Sequence, residues 1–370
     1  MSVGREQLLP VSSIVTSLMW RSDGAEFADA QARYAERVGR LLSGWLADAE
    51  VEFPEEAVGL RADLRGLSDE ILERILLSPN VAHSLLRRQE RQVRPAMDLI
   101  MAGIGTEKDR PWRDASPLGG RTWGPLGDRF QALDGRVSAP LRIREHIALD
   151  LDSPNAVALG PSDHPREATH WRPIVGDERD LAVSLIGRAF DLLTAAGPAF
   201  ASLVDACIRV LVGRARPVDE FCSFSSCEFV GRVALVNPHR VNEYVLAEAL
   251  VHESIHAYLF FYEPTARWGL ARTSGEPREV VSPWSGRSLD LRAFLHACFV
   301  WYGLFFFWSR ALELGLAPPD VALFGLTRAG RGFTRGNSLR AAVDDDCVRP
   351  EVRGAVHHMQ RNVLTIMEEV

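Results

Sequence analysis

Apolar positions recur at helical spacing from about Glu26 to Ala49, again from Ser68 to Leu77, and a third time after Pro79, through Leu85 and Leu86 on to Ile100. Spacings of three and four residues put such positions on one face, so each stretch predicts an amphipathic helix. Between Gly103 and about Pro140 the periodicity stops. Pro111-Trp112-Arg113, Gly119-Gly120 and Thr122-Trp123-Gly124-Pro125 are turn chemistry and predict a long irregular connection. From Leu141 to Asp152 the pattern becomes alternation: Leu141, Ile143, Ile147, Leu149 and Leu151 face one way, Arg142, Arg144, His146, Asp150 and Asp152 the other. That predicts a half-buried strand. Phe221 to Val236, closed by Asn237-Pro238, is a second β candidate for the same small sheet. Helical signals return from Asp177 to Arg214, broken at Gly197-Pro198, and then from Val241, from Leu289 and from Pro350 to the C-terminus.

The expected fold class is therefore mainly α (α+β), a helical protein with a small β-sheet beside its active-site helix. By texture the chain divides into a helical region over residues 1–103, a Gly/Pro/Trp-rich connection over 104–140, and a catalytic region over 141–370. No internal repeat is visible.

Composition changes this picture little. With 46% hydrophobic and 25% charged residues among 370, the chain has enough apolar material for a sizeable core. A formal charge of -7 argues against a nucleic-acid surface, which needs a concentrated excess of basic side chains. The five cysteines, Cys207, Cys222, Cys227, Cys298 and Cys347, contain no Cys-x-x-Cys pair and suit a reducing compartment. The stretch from Leu8 to Trp20 lacks the uninterrupted apolar core of a secretory signal. The longest apolar run, Phe294 to Trp308, is short of the ~20 residues that span a bilayer and is expected to be a buried helix. A cytoplasmic protein with no membrane partner is the expectation.

Chemistry concentrates at His252-Glu253-Ser254-Ile255-His256. Asn242 can cap a helix that runs apolar through Val245, Leu246, Ala249, Leu250, Ile255 and Leu259 until Pro264 forbids continuation. Four residues are one helical turn, so the two imidazoles share a face and can reach one ion. Two imidazoles and a carboxylate on an apolar helix are expensive to desolvate without a strong partner, and a metal supplies one.

Two histidines leave the site incomplete. A third histidine six residues on, as in metzincins, is excluded because position 262 is Tyr262 and position 259 is Leu259. A zinc peptidase would take a downstream glutamate. Glu276 stands 20 residues after His256 (276 - 256), although its Thr273-Ser274-Gly275-Glu276-Pro277 surroundings are those of a loop. In that reading Glu253 is the general base that deprotonates a zinc-bound water. The other candidate is His296, a single imidazole interrupting the apolar helix from Asp290 to Phe299.

At these residues the chain resembles the HExxH-motif peptide modification proteins, α-ketoglutarate-dependent HExxH-type peptide β-hydroxylases. The likeness rests on His252-Glu253-x-x-His256, then Ser282-Pro283-Trp284, then Leu295-His296-Ala297 twelve residues after the tryptophan, and it covers about Ser223 to Trp308. It implies an Fe(II) centre held by His252, His256 and His296, with α-ketoglutarate and O2 as co-substrates and a ribosomally made precursor peptide as the partner hydroxylated at a side-chain β-carbon. One departure is that many relatives carry Arg directly after the Pro-Trp pair, where this chain has Ser285 and only later Arg287.

Three facial nitrogen ligands leave room on an octahedral ion for a bidentate 2-oxo acid and O2. With an all-histidine set, Glu253 would instead hold a water or a ligand histidine. The distal carboxylate of α-ketoglutarate needs a cation, best the planar fork of an arginine. Arg287 is the first candidate, Arg292 the second, and Arg278 lies nearby. His357 and His358 are adjacent and diverge by ~100° on a helix, so they do not share an ion easily. His164 and His170 sit in a polar loop, and Trp301, Tyr302 and Phe305 to Phe307 are expected in the core.

Overall fold

A computed structural model of the full chain describes residues 10–86, 93–107, 122–123, 130–131, 137–138, 141–144, 147–151, 172–217, 220–263, 279–335, 339, 343 and 347–369. In chain order the described helices of the first half are α1 (Val11–Ser17), α2 (Ala25–Glu52), α3 (Pro54–Arg65), α4 (Asp69–Leu76), α5 (Pro79–Leu86) and α6 (Val93–Glu107). Strands β1 (Thr122–Trp123), β2 (Phe130–Gln131), β3 (Val137–Ser138), β4 (Leu141–Ile143) and β5 (Ile147–Asp150) follow, then α7 (Asp177–Ala196) and α8 (Pro198–Cys207). Next come β6 (Val210–Arg214), β7 (Cys222–Ser225), β8 (Arg232–Val236), α9 (Glu243–Tyr262), β9 (Glu279–Val281) and β10 (Ser288–Asp290). Helices α10 (Leu291–Glu313), α11 (Pro319–Thr334) and α12 (Pro350–Glu369) close the chain. The fold is mainly helical with a small mixed sheet, as the apolar pattern predicts.

Two compact units are interleaved along the sequence, one made of residues 1–28, 188–204 and 243–370, the other of 29–187 and 205–242. In the second, five strands form a sheet in the order β4-β5-β6-β8-β7. The pairs β5–β6 and β6–β8 are parallel, while β4–β5 and β7–β8 are antiparallel. The predicted strand from Leu141 to Asp152 is thus two strands. Arg144, at φ 53, turns the chain between them. Every residue of β5 is buried, Asp150 included, so both faces of this strand are covered and the alternation did not mean one wet face. Val210–Arg214, expected at the end of a helical stretch, is a fully buried strand. A short apolar run suits either state, and pairing on both edges decides it. The connection expected from Gly103 begins later, since α6 runs to Glu107, and it contains β1, β2 and β3 in an antiparallel sheet. The helix expected through Leu86 to Ile100 is two, α5 and α6, and residues 87–92 lie outside the described residues.

The first unit holds the motif. There α10 packs against α9, α11 and α12, and α12 also meets α1. The helices lock through aromatic side chains: Phe27 meets Tyr258 edge-on at 4.9 Å, and Phe200 meets Phe307 at 5.5 Å. α10 starts at Asp290, whose carboxylate accepts from the Ala293 amide at 2.7 Å, an N-cap that also complements the helix dipole. It is 23 residues long, and by length and hydropathy it could cross a membrane; 67% of its most apolar window is buried inside the fold. α10 comes close to α9 at Gly303. A Cβ there would lie 2.6 Å from Ile255 Cδ1, and the Gly303 carbonyl accepts from Trp20 Nε1 at 2.9 Å.

α11 was not expected from the apolar pattern. It begins at Pro319, whose missing amide is no loss in a first turn. It carries Gly325, Gly330 and Gly332, weak helix formers that let large side chains lie directly on its backbone. A Cβ on Gly325 would fall 2.3 Å from the Trp308 ring, and one on Gly332 only 2.1 Å from the Trp284 ring.

Candidate functional site

α9 begins at the residue after Asn242 and ends just before Pro264, as expected. It is hydrophobic nearly all round, the character of a helix enclosed by protein. From Leu246 to Glu263 the residues that are not buried are Glu248, His252, His256 and Glu263. All are polar, and steps of four, four and seven residues put them on one face. The motif histidines therefore lie in the one open stripe of an enclosed helix.

His252 and His256 stand one turn apart with ring centroids 5.0 Å apart. His296, 3% exposed on α10, faces them from the neighbouring helix, its ring nearly parallel to that of His256 at 5.6 Å. The Nδ1 atoms of His256 and His296 are 3.3 Å apart. Burial, then the nearby His252, His296 and Arg292, holds the His256 pKa well below the ordinary histidine range. His256 is thus neutral at pH 7, the form that binds metals. Glu253 is 2% exposed, on the enclosed side of α9.

The residue after α9, Glu263, continues its ladder, with the Glu263 amide donating to the Leu259 carbonyl. The Glu263 carboxylate accepts from His296 Nε2 at 2.7 Å and from Arg292 Nε at 2.6 Å, while a second Arg292 nitrogen reaches its other oxygen. Burial opposes its charge, but the hydrogen bonds from Arg292 and His296 outweigh this and bring its pKa down to about 2. At the other end of the stripe, Glu248 accepts from Trp308 Nε1 at 2.6 Å and pairs with Arg328.

Ser282-Pro283-Trp284 lies in the connection of the β9–β10 hairpin, whose turn closes with the Gly286 amide donating to the Ser282 carbonyl. Trp284 points inward, donates Nε1 to the Ala329 carbonyl at 2.9 Å and stacks on Trp301 at 6.0 Å. Trp301 in turn meets His252 edge-on at 6.3 Å and carries the Arg328 guanidinium over its ring at 5.6 Å. Trp301, expected in the core, is half-buried and forms a wall beside His252. Tyr302 and Phe305 to Phe307 are core, as expected.

Of the arginines expected to grip a co-substrate, Arg292 has its fork on Glu263, and Arg287 is exposed on the hairpin connection. Arg278 and Glu276 lie outside the described residues, as do His164 and His170. His358 sits on α12, 3.3 Å from the Asn362 amide nitrogen. Three residues at the site escaped the sequence reading: Glu263, Glu248 and Arg328. The first two carry a usable signal, since they fall seven residues after His256 and four before His252 on the same face.

As placed, no three His, Cys, Asp or Glu side chains among the described residues converge on one point. The pair His256 and His296 does suit an ion, since two nitrogens bound at ~2.1 Å to one centre stand ~3.0–3.4 Å apart. His252, one turn from His256 on the same open face, is the nearest further donor of the right type. Compared with known proteins, the chain matches no family model and no curated sequence.

Proposed function

We propose that this chain is an Fe(II)- and α-ketoglutarate-dependent hydroxylase of a ribosomally made peptide, with His252, His256 and His296 as its metal ligands. The observation that carries the reading is the 3.3 Å approach of His296 Nδ1 to His256 Nδ1 across two helices. A peptidase built on the motif would need no imidazole at that position. The resemblance at Ser282-Pro283-Trp284 supports the same reading, because that segment supplies the tryptophan that backs the Trp301 wall beside His252.

When bound, Fe(II) with α-ketoglutarate and O2 supplies an oxidant that inserts oxygen into a C–H bond. The net change is R–H, O2 and α-ketoglutarate to R–OH, succinate and CO2. The chain's own residues present imidazoles and exclude water. Trp301 and Trp284 close one side of the open stripe, and Phe260, stacked on His256 at 6.0 Å, closes another. In this reading Glu253, buried on the enclosed side of α9, holds a water or a ligand histidine in place of acting as a general base. Arg292 is engaged by Glu263, so Arg287 is the arginine left from the expected pair for the distal carboxylate of α-ketoglutarate.

Purified without oxygen and loaded with Fe(II), the protein should convert α-ketoglutarate to succinate when given its precursor peptide, and the peptide should gain 16 Da, about one oxygen atom. His296→Ala should abolish both metal uptake and turnover, while Glu276→Gln should retain the metal. Zinc-dependent peptide cleavage that survives His296→Ala and dies with Glu276→Gln would overturn the proposal.

A further inference from the structure

We infer that Glu263 is the residue that positions His296 for metal binding, and that Arg292 anchors Glu263 and does not bind a co-substrate. The inference rests on the metal-centre reading above and deepens it. Glu263 Oε1 stands 2.7 Å from His296 Nε2. An ionised carboxylate only accepts hydrogen bonds, so Nε2 carries the proton. With Nε2 given to Glu263, the ring nitrogen left to face an ion is Nδ1, and Nδ1 is the atom aimed at His256. The carboxylate thus selects the tautomer and fixes the ring's rotation together. This is the service that carboxylates commonly perform for ligand histidines.

The supporting geometry is local and redundant. Arg292 and His296 are one turn apart on α10 (296 - 292 = 4), so both present donors to one carboxylate at the end of α9. The Glu263 side chain is 11% exposed and that of His296 4%, so their hydrogen bond works out of reach of bulk water. Arg292 grips both oxygens of Glu263, a fork that holds the carboxylate plane. There is also an electrostatic reason for the carboxylate. Three neutral imidazoles bring no negative charge to a divalent ion, and Glu263 returns one through the ring of His296.

The test is Co(II) titration of the full-length protein, reading the dissociation constant and the visible ligand-field spectrum, with far-UV circular dichroism to check folding. Glu263→Gln keeps an acceptor but no charge and should weaken Co(II) binding ~10-fold, and Glu263→Leu should weaken it ~100-fold with a shifted spectrum. Arg292→Gln should give a smaller loss than Glu263→Leu. Wild-type affinity and spectrum in both Glu263 variants, alongside loss of Co(II) in His256→Ala and His296→Ala, would overturn this inference and leave the metal centre standing. Loss in Glu263→Gln as complete as in His296→Ala would also overturn it, by making Glu263 a direct ligand. Wild-type binding in His252→Ala, His256→Ala and His296→Ala together would overturn the metal centre itself.

Discussion

Replacing Gly332 with alanine is the sharpest test of the packing behind the site. The new methyl carbon would lie 2.1, 2.5 and 2.5 Å from three atoms of the Trp284 indole, where ordinary contact begins near 3.4 Å, so the ring must retreat by more than an ångström. It has nowhere to go. Its Nε1 is tied to the Ala329 carbonyl on the same helix, Phe333 meets it edge-on at 5.2 Å, and Trp301 covers its other side. Overpacking of this kind costs ~1–3 kcal/mol. The better helix propensity of alanine returns ~1 kcal/mol, and the pinned ring puts the clash at the upper end, for a net loss of ~2 kcal/mol. For a unit of this size that is a fall in Tm of ~4–8 °C. Thermal melts followed by far-UV circular dichroism and tryptophan fluorescence would measure it, and the near-UV spectrum should report separation of the Trp284–Trp301 stack. Gly59→Ala is the control: nothing lies within 4 Å of a Cβ there, so it should gain ~0.5–1 kcal/mol. An unchanged or higher Tm for Gly332→Ala, with the near-UV spectrum intact, would refute the reasoning.

Three further outcomes are expected. Asp290→Ala should cost ~1 kcal/mol through loss of the α10 cap, and Asp290→Asn should recover most of it; chemical denaturation measures both. In the native protein a thiol reagent should label the exposed Cys222 and Cys227 quickly and Cys347 more slowly, while the buried Cys207 and Cys298, whose thiols burial pushes up, should react only after unfolding. Ser68→Ala should destabilise by ~0.5–1 kcal/mol, since Ser68 Oγ caps α4 by accepting from the Ile71 amide, and a shift in the urea midpoint would show it.

Where local signals and tertiary packing agree, the sequence is easy to read. α9 has a proline stop and a long apolar run, and α10 has an aspartate cap before its own, so both sit where the pattern puts them. His296 was legible because it is the one imidazole on an apolar helix downstream of an incomplete pair. Elsewhere packing overrules pattern. α11 contains three glycines and reads poorly as a helix, yet those glycines are what lets Trp308 and Trp284 lie flat on it. The alternation from Leu141 to Asp152 suggests a wet face, but the protein covers both faces of β5 and Asp150 is fully buried. Glu263 was missed for a different reason. The His-Glu-x-x-His string stops at His256, whereas the face it defines continues for two further turns. Arg328 carries no local signal at all, since its place over Trp301 depends on how α11 meets α10.

The close approach at Gly303 has a consequence for the geometry of the site. Gly303 lies seven residues past His296 on α10 and touches Ile255, the neighbour of His256 on α9. The spacing of the helices that carry His256 and His296 is therefore gauged by the contact at Gly303. Any side chain at position 303 would press on Ile255 and spread α10 from α9, and so widen the gap between the two imidazoles.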